Sequence, residues 1–261
     1  MKFTCTQENL YRGLSRVAHV ANKSATLPIL NNVLIRAEDG GINLNTTNLE
    51  IGIKTLIRGK VKEGGEFTTQ AKLLFDYVAL LPKENIEIEL NEQTLHLTCQ
   101  NYKTSIKGLP TTDFPVIPEI TKEKAVKIKS STLKRALTQV IFAVTLDESR
   151  PEISGVLLSF SGNILTLVGT DSYRLAEKKI KIESELPSDL KVIVPLKTMQ
   201  EVLRILTDET DQEVVIYINE SQILFQLDSE VELISRLIDG NYPDYEQIIP
   251  TANKTTAKFR L

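Results

Sequence analysis

Carboxylates, imidazoles and thiols carry out most side-chain chemistry, and in this sequence they are thinly placed. One acid-rich stretch is Asp147-Glu148-Ser149-Arg150-Pro151-Glu152, where paired acids can act as general acid and base. Together with Asp171 it would suit an acid-dependent hydrolase; between a helical and a strand-like segment it equally suits a solvated loop. His19 and His96 are far apart and have no spaced Cys or carboxylate partners, so no metal site is expected. Cys5 and Cys99 make neither a disulfide framework nor a metal pattern and read as buried free thiols of a cytosolic protein. No glycine-rich phosphate loop is present. The expectation is a protein without cofactor or metal that works by binding.

The elements that would hold any site come from the hydrophobic pattern. Apolar residues recur at helical spacing over 7–22 and 131–145, and more briefly over 71–81 and 197–206. Elsewhere they alternate, as in 30–35, 42–44, 86–90 and 95–99, and turn signals such as Asp39-Gly40-Gly41 separate the runs. The chain also repeats itself. At an offset of 128, Ile86, Ile88 and Leu90 fall on Val214, Ile216 and Ile218, Ile106 falls on Ile234, and Phe114-Pro115 falls on Tyr242-Pro243, thirty residues without a gap. At 123, Leu10, Leu14 and Val17 fall on Leu133, Leu137 and Val140, and Thr47-Asn48 on Thr170-Asp171; Lys72 matches Lys197 at 125. Each copy of roughly 125 residues reads as β-α-β-β-β twice over. Short hairpins favour antiparallel sheets with helices on one face, an α+β class. The expected domains are 1–120 and 121–250, with 117–122 as linker.

A charged content of 25% and hydrophobic content of 41% belong to a soluble globular protein. No apolar run approaches the ~20 residues of a membrane span, and the N-terminus has no signal-like core, so a cytoplasmic protein without a membrane partner is expected. The net charge of −3 argues against nucleic acid held by bulk charge alone. Charge is segregated, however. The four helical segments sum to +6, leaving −9 elsewhere. On a helix Arg12, Arg16 and Lys23 fall within about 40° of one another, opposite Leu10, Leu14 and Val17, and Arg135 and Gln139 occupy the same stripe in the second copy. Such a face attracts a polyanion that the whole chain would repel; it equally suits ordinary solvated helices. The copies diverge at one strand, where Thr170-Asp171-Ser172-Tyr173-Arg174-Leu175 replaces Thr47-Asn48-Leu49-Glu50-Ile51-Gly52. An Arg beside an aromatic and a Leu suits a pocket for a peptide with apolar anchors, or an Arg paired with a local acid.

Met1-Lys2-Phe3, Leu27-Pro28-Ile29-Leu30, Thr170 to Ala176, Val192-Ile193-Val194-Pro195 and Asp239 to Tyr245 together resemble the bacterial DNA polymerase III β subunit family, the replicative sliding clamps. The resemblance implies a processivity factor: domains of this type closing as a ring around duplex DNA, helices lining the hole. Implied partners are double-stranded DNA without sequence preference, the replicative polymerase, the clamp loader, other proteins with clamp-binding motifs, and further clamp subunits. It places a partner-peptide pocket at Ile153, Thr170, Ser172, Tyr173, Arg174, Leu175, Pro243, Gln247 and Ile248, with Gln247 where Arg is often found and Tyr173 where His is common. DNA-facing residues would be Arg12, Arg16, Lys23, Lys72, Arg135, Lys197 and Arg204. The family has three such domains per chain, so 251–261, ending Ala257-Lys258-Phe259-Arg260-Leu261, reads as the opening of a third. That leaves a fragment, with an unpaired edge near 103–109, or a short form closing as three copies. A peptide-binding scaffold that never meets DNA remains the other binding alternative.

Overall fold

A computed structural model describes residues 1–21, 27–123, 125–147, 149–184, 186, 189–206, 212–250, 252 and 255–258. The first unit runs β1 (Lys2–Thr6), α1 (Gln7–Val17), β2 (Asn32–Glu38), β3 (Gly41–Thr47), β4 (Ile51–Ile57), β5 (Lys60–Glu63), β6 (Gly65–Gln70), α2 (Ala71–Ala79), β7 (Asn85–Asn91), β8 (Thr94–Cys99) and β9 (Tyr102–Leu109). The second repeats it as β10 (Val126–Lys129), α3 (Ser130–Thr138), β11 (Gly155–Ser161), β12 (Ile164–Thr170), β13 (Leu175–Lys181), β14 (Glu183–Ser184), β15 (Leu190–Pro195), α4 (Leu196–Ile205), β16 (Glu213–Ile218), β17 (Gln222–Gln226) and β18 (Val231–Arg236). The expected β-α-β-β-β order is present, with the short polar strands β5 and β14 added.

All described strand pairings are antiparallel, as short hairpins require. Fourteen strands form one sheet in the order β14-β10-β16-β17-β18-β4-β3-β2-β6-β9-β8-β7-β1-β5, and β13-β12-β11-β15 form a second. The two units join at β18 and β4, where Glu232 lies opposite Lys54, Leu233 opposite Ile53 and Ile234 opposite Gly52. Leu10, Leu14 and Val17 of α1, Leu74 and Val78 of α2, Leu133 and Leu137 of α3, and Met199 and Val202 of α4 are buried in one core with the inner residues of both sheets. At ~25 cal/mol per Å² this burial is the main stabilising term.

Two helices are shorter than their periodicity suggests. Thr6 caps α1 by accepting from the Asn9 N–H, but the helix ends at Val17, and Ala18 and Val20 donate back to Leu14 and Val17. α3 ends at Thr138; Val140 and Val144 keep the apolar spacing from a single 3₁₀ turn, Ile141–Ala143. Both are buried, so the period persists as burial after the helix has stopped. A run of β-branched residues there disfavours another helical turn.

The thirty-residue register is broken once. β8 pairs Leu95 with Ile106, whereas β17 pairs Ile223 with Ser235. The second unit therefore carries one extra residue between these strands, and β9 corresponds to β18 at an offset of 129. Ile106 faces the core, but Ile234 turns to the other face, where it packs with Leu224 and the linker residues Ile117 and Ile120.

Candidate functional site

The segment Thr170–Leu175 is a tight turn between β12 and β13, not the continuous strand expected of it. Asp171 organises it: its Oδ1 accepts the N–H groups of Tyr173 and Arg174 at 3.0 and 2.9 Å. Thr170 Oγ1 donates to the Arg174 carbonyl and accepts from the Ser172 N–H. Ser172 is thereby held at φ 75°, a left-handed conformation. The first unit builds the same turn with Leu49 at φ 78°, Asn48 accepting from Glu50 and Ile51, and Thr47 in place of Thr170. A shared scaffold thus carries different side chains. The Arg174 and Tyr173 N–H groups and the Arg174 guanidinium hold the Asp171 carboxyl below its ordinary 3.8.

The side chains this turn projects are exposed. Tyr173 is 98% accessible. Arg174 Nε donates to Asp171 at 3.0 Å, and its guanidinium carbon lies 5.7 Å from the centre of the Phe142 ring. Arg150 crosses from the preceding loop to donate to Ser172 Oγ at 2.9 Å. Leu175 and Tyr242 pack against a cluster of Leu157, Val168, Ile193 and Tyr245 on the outer face of the smaller sheet. Tyr242 donates to the Val168 carbonyl and Tyr245 to Glu177; burial raises both phenols, and Glu177 raises Tyr245 further.

The nine expected pocket residues divide accordingly. Ser172, Tyr173 and Arg174 form an exposed ledge with the half-buried Leu175 at its end. Pro243 lies between the two tyrosines and Gln247 and Ile248 follow them; Gln247 donates to Asp244 and Ile248 is 68% exposed. Thr170 spends its hydroxyl within the turn, and Ile153, 1% exposed, presents no surface. Beside the tyrosines a cleft of about 900 Å³ is lined by Leu157, Ile193, Tyr242, Pro243 and Tyr245, but not by the 170–175 turn. Phe142, Arg150, Tyr242 and Tyr245 belong to this surface and were not singled out from sequence. The Asp239–Tyr245 motif and the 128-residue match at Tyr242-Pro243 pointed to the neighbourhood of the two tyrosines.

The basic helix residues have three different settings. Arg16 is 2.8 Å from Asp228 and 3.3 Å from Glu230, across the joint between units, with Arg12 3.6 Å from Glu230. Arg204 donates to the Ser15 and Arg16 carbonyls at 2.7 Å each, closing the C-terminal end of α1, and pairs with Glu201. Arg16 and Arg204 therefore tie α1 to the second unit. Lys72 is exposed and paired with Asp76, and Lys197 is exposed. Arg135 is exposed and makes no ion pair among the described residues. Lys23 lies outside them. Over the observed helix bounds the formal charges are +2 and −1 in α1, +1 and −1 in α2, +2 in α3, and +2 and −1 in α4; the net is +4 rather than the expected +6.

Asp171 is committed to its turn, and Glu148, one of the acids of 147–152, lies outside the described residues. Among the described residues no three His, Cys, Asp or Glu side chains are grouped to hold a metal, and no helix is long and apolar enough to cross a membrane. Phe259, Arg260 and Leu261, the residues expected to open a further strand, also lie outside.

Residues 1–118 match the family described as DNA polymerase III beta subunit, N-terminal domain, and residues 127–244 match its central domain. The chain is 32% identical over 265 residues to the beta sliding clamp of Bacillus subtilis, covering 98% of this chain and 69% of that protein. It is 34% identical over 254 residues to that of Pseudomonas aeruginosa, covering 96% and 68%. Among solved structures, the Pseudomonas aeruginosa sliding clamp bound to griselimycin superposes with a TM-score of 0.91 at 32% identity, over 97% of this chain and 69% of that one. The Bacillus subtilis clamp gives 0.90 at 30%, over 97% and 68%.

Proposed function

Since the chain belongs to the DNA polymerase III beta subunit family, we propose that it is a processivity factor: a non-catalytic clamp subunit that helps encircle duplex DNA and tether the replicative polymerase. The observation that carries this reading is the match of both units, in order and over nearly the whole chain, to the N-terminal and central clamp domains. Residues 1–120 and 121–250 are the proposed domains. A ring holds DNA by topology, which reconciles DNA binding with a net charge of −3: phosphate contacts need only be weak, salt-sensitive and blind to sequence. Tethering then raises polymerase concentration at the primer end.

Arg12, Lys72, Arg135 and Lys197 are the proposed DNA-facing residues, with Lys23 carried from sequence. Arg16 and Arg204 contribute chiefly by holding α1 against the second unit. The proposed peptide site is the ledge Ser172–Leu175 with Pro243, Gln247 and Ile248, Thr170 shaping its turn and Ile153 supporting it from below. Its occupants are short motifs of the polymerase, the clamp loader and other clamp-binding proteins. A solved relative carries bound griselimycin, which supports a ligand site on this fold. The setting is the cytoplasm, with no cofactor or metal.

Retention on DNA tests the ring: assembled clamp stays on linear duplex with blocked ends and is lost from open ends. Equal loss from both refutes topological holding. Calorimetry with a clamp-binding peptide tests the ledge, where Arg174→Ala and Leu175→Ala should each weaken binding at least tenfold, about 1.4 kcal/mol. Unchanged affinity in both would misplace the site.

A further inference from the structure

The cleft beside the two tyrosines has a counterpart in the first unit. A cleft of about 530 Å³ lies where segment 111–119 passes over β2, β3 and β4. Leu34, Phe114 and Pro115 line it as Leu157, Tyr242 and Pro243 line the other. Its wall is set close to the sheet, since a Cβ on Gly52 would stand 2.7 Å from Ile117.

The floors of the two clefts differ. In the second unit Glu177, Val168, Leu157 and Ile193 lie opposite one another across four strands, and Tyr245 closes the row by donating to Glu177 at 2.9 Å. In the first unit the same row is Lys54, Asn45, Leu34 and Thr68. Ile117 stands where Tyr245 does and has no hydroxyl to offer. Thr68 is satisfied, donating to the Leu109 carbonyl and accepting from Asn32. Asn45 is not: it is 9% exposed, and its Oδ1 has no donor. Lys54 is half-buried and makes no ion pair or hydrogen bond among the described residues. Glu232, opposite it on β18, is taken by Lys122 of the linker. One acceptor and one cation, both largely removed from water, are thus left unmet side by side, at a cost to the fold that a ligand can recover.

A ligand that meets both must bring an N–H and an anion close together, with an apolar group for Leu34, Phe114 and Pro115. An acidic residue in a peptide has that pattern, in its own N–H, its carboxylate and its neighbour's side chain. A cleft of this size takes a few residues. We propose that it binds a short acidic peptide segment, an apolar residue followed by Asp or Glu, with the carboxylate on Lys54 and a backbone N–H on Asn45 Oδ1. At the far end of the cleft Arg36 is already held by Glu66 at 2.9 Å and Glu38 at 3.5 Å, so Lys54 is the cation that selects the acid. Neither DNA nor ring closure enters the contact, and the Ser172–Leu175 ledge takes no part in it.

The probe is the capped dipeptide acetyl-Leu-Glu-amide, with acetyl-Leu-Gln-amide as its neutral control, titrated into the whole chain and followed by NMR at the Asn45 side-chain amide. The acidic probe should bind with Kd of about 1 mM or tighter, and the neutral one at least about fivefold more weakly. Lys54→Met keeps the apolar stem and removes the charge. It should abolish that preference and leave the affinity for a clamp-binding peptide unchanged. Asn45→Val installs the residue that the second unit has at this position. It should weaken the acidic probe about tenfold while raising Tm by at least about 2 °C, because an unmet buried oxygen is gone. Equal binding of the two probes overturns the proposal, as does no binding of either. So does a fall in Tm with Asn45→Val, which would make Asn45 a support of the fold. Acid preference that survives Lys54→Met but is lost in Arg174→Ala would put the probe on the ledge and overturn it too.

Discussion

Arg16→Ala separates holding the units together from holding DNA. The Arg16 guanidinium meets Asp228 at 2.8 Å and Glu230 at 3.3 Å, with the three side chains 17, 15 and 18% exposed. An exposed pair contributes about 0–1 kcal/mol, and breaking a fully buried one costs about 3–5 kcal/mol. This cluster lies between, and losing Arg16 leaves two largely covered carboxylates side by side. Arg12, 51% exposed and 3.6 Å from Glu230, offsets part of that charge. A net destabilisation of about 2–3 kcal/mol is expected, which at about 2–4 °C per kcal/mol lowers Tm by about 5–10 °C. Arg135→Ala is the control, since Arg135 occupies the same stripe in α3, is exposed and makes no ion pair among the described residues; its effect should stay within about 0.5 kcal/mol. Thermal unfolding of both variants, with an Arg16→Ala/Asp228→Ala cycle showing coupling of at least about 1 kcal/mol, reads the difference. If Arg16→Ala melts like the parent chain yet lowers DNA retention as much as Arg135→Ala, the joint does not depend on Arg16 and the reasoning fails.

Gly108→Ala should destabilise by about 2–4 kcal/mol, because a Cβ there would meet the Thr68 carbonyl and stand 2.6 Å from the Phe67 ring; denaturant unfolding measures it, and a neutral result would mean that β6 and β9 part freely. Asp171 is held below 3.8 by amide donors that exist only in the folded turn. Its contribution is therefore complete above that value and lost as pH falls through the lower, folded one. The Tyr173 and Arg174 amide resonances should shift together below pH 3.8, and Asp171→Asn should remove the transition. If the variant titrates like the parent, another group orders the turn. Neutralising Arg135 together with Lys197 should reduce the salt slope of DNA retention by roughly 1–2 units and leave peptide affinity unchanged; an unchanged slope would remove α3 and α4 from the DNA face.

The sequence made the duplicated elements legible because buried positions repeat faithfully. Leu10, Leu14 and Val17 of α1 and their counterparts Leu133, Leu137 and Val140 are all buried. It misplaced helix ends because Val140 and Val144 keep a helical spacing while packing from a 3₁₀ turn. β5 and β14 escaped notice because Lys60–Glu63 and Glu183–Ser184 have too little apolar alternation to signal pairing. The uniformly basic helix stripe was a projection of charge along single helices. It had no access to Asp228, Glu230 or the end of α1, which meet Arg16 and Arg204 from 188 to 214 residues away. The Tyr173-Arg174 ledge stood out as the place where two similar copies diverge, but Phe142 beneath Arg174 carries no local pattern and needed the fold to appear.

The extra residue between β17 and β18 settles whether the two copies are interchangeable modules. In the second unit it sets Leu224 opposite Ile234 on the outer face, and the linker rests there through Ile117 and Ile120. At the equivalent place in the first unit His96 lies opposite Ser105, and the two are hydrogen-bonded at 2.8 Å. A linker leaving the second unit to cross the first would find a polar bed there and no seat for its isoleucines. The inserted residue, together with the exchange of His96 and Ser105 for Leu224 and Ile234, makes the second unit and not the first the apolar bed of the linker.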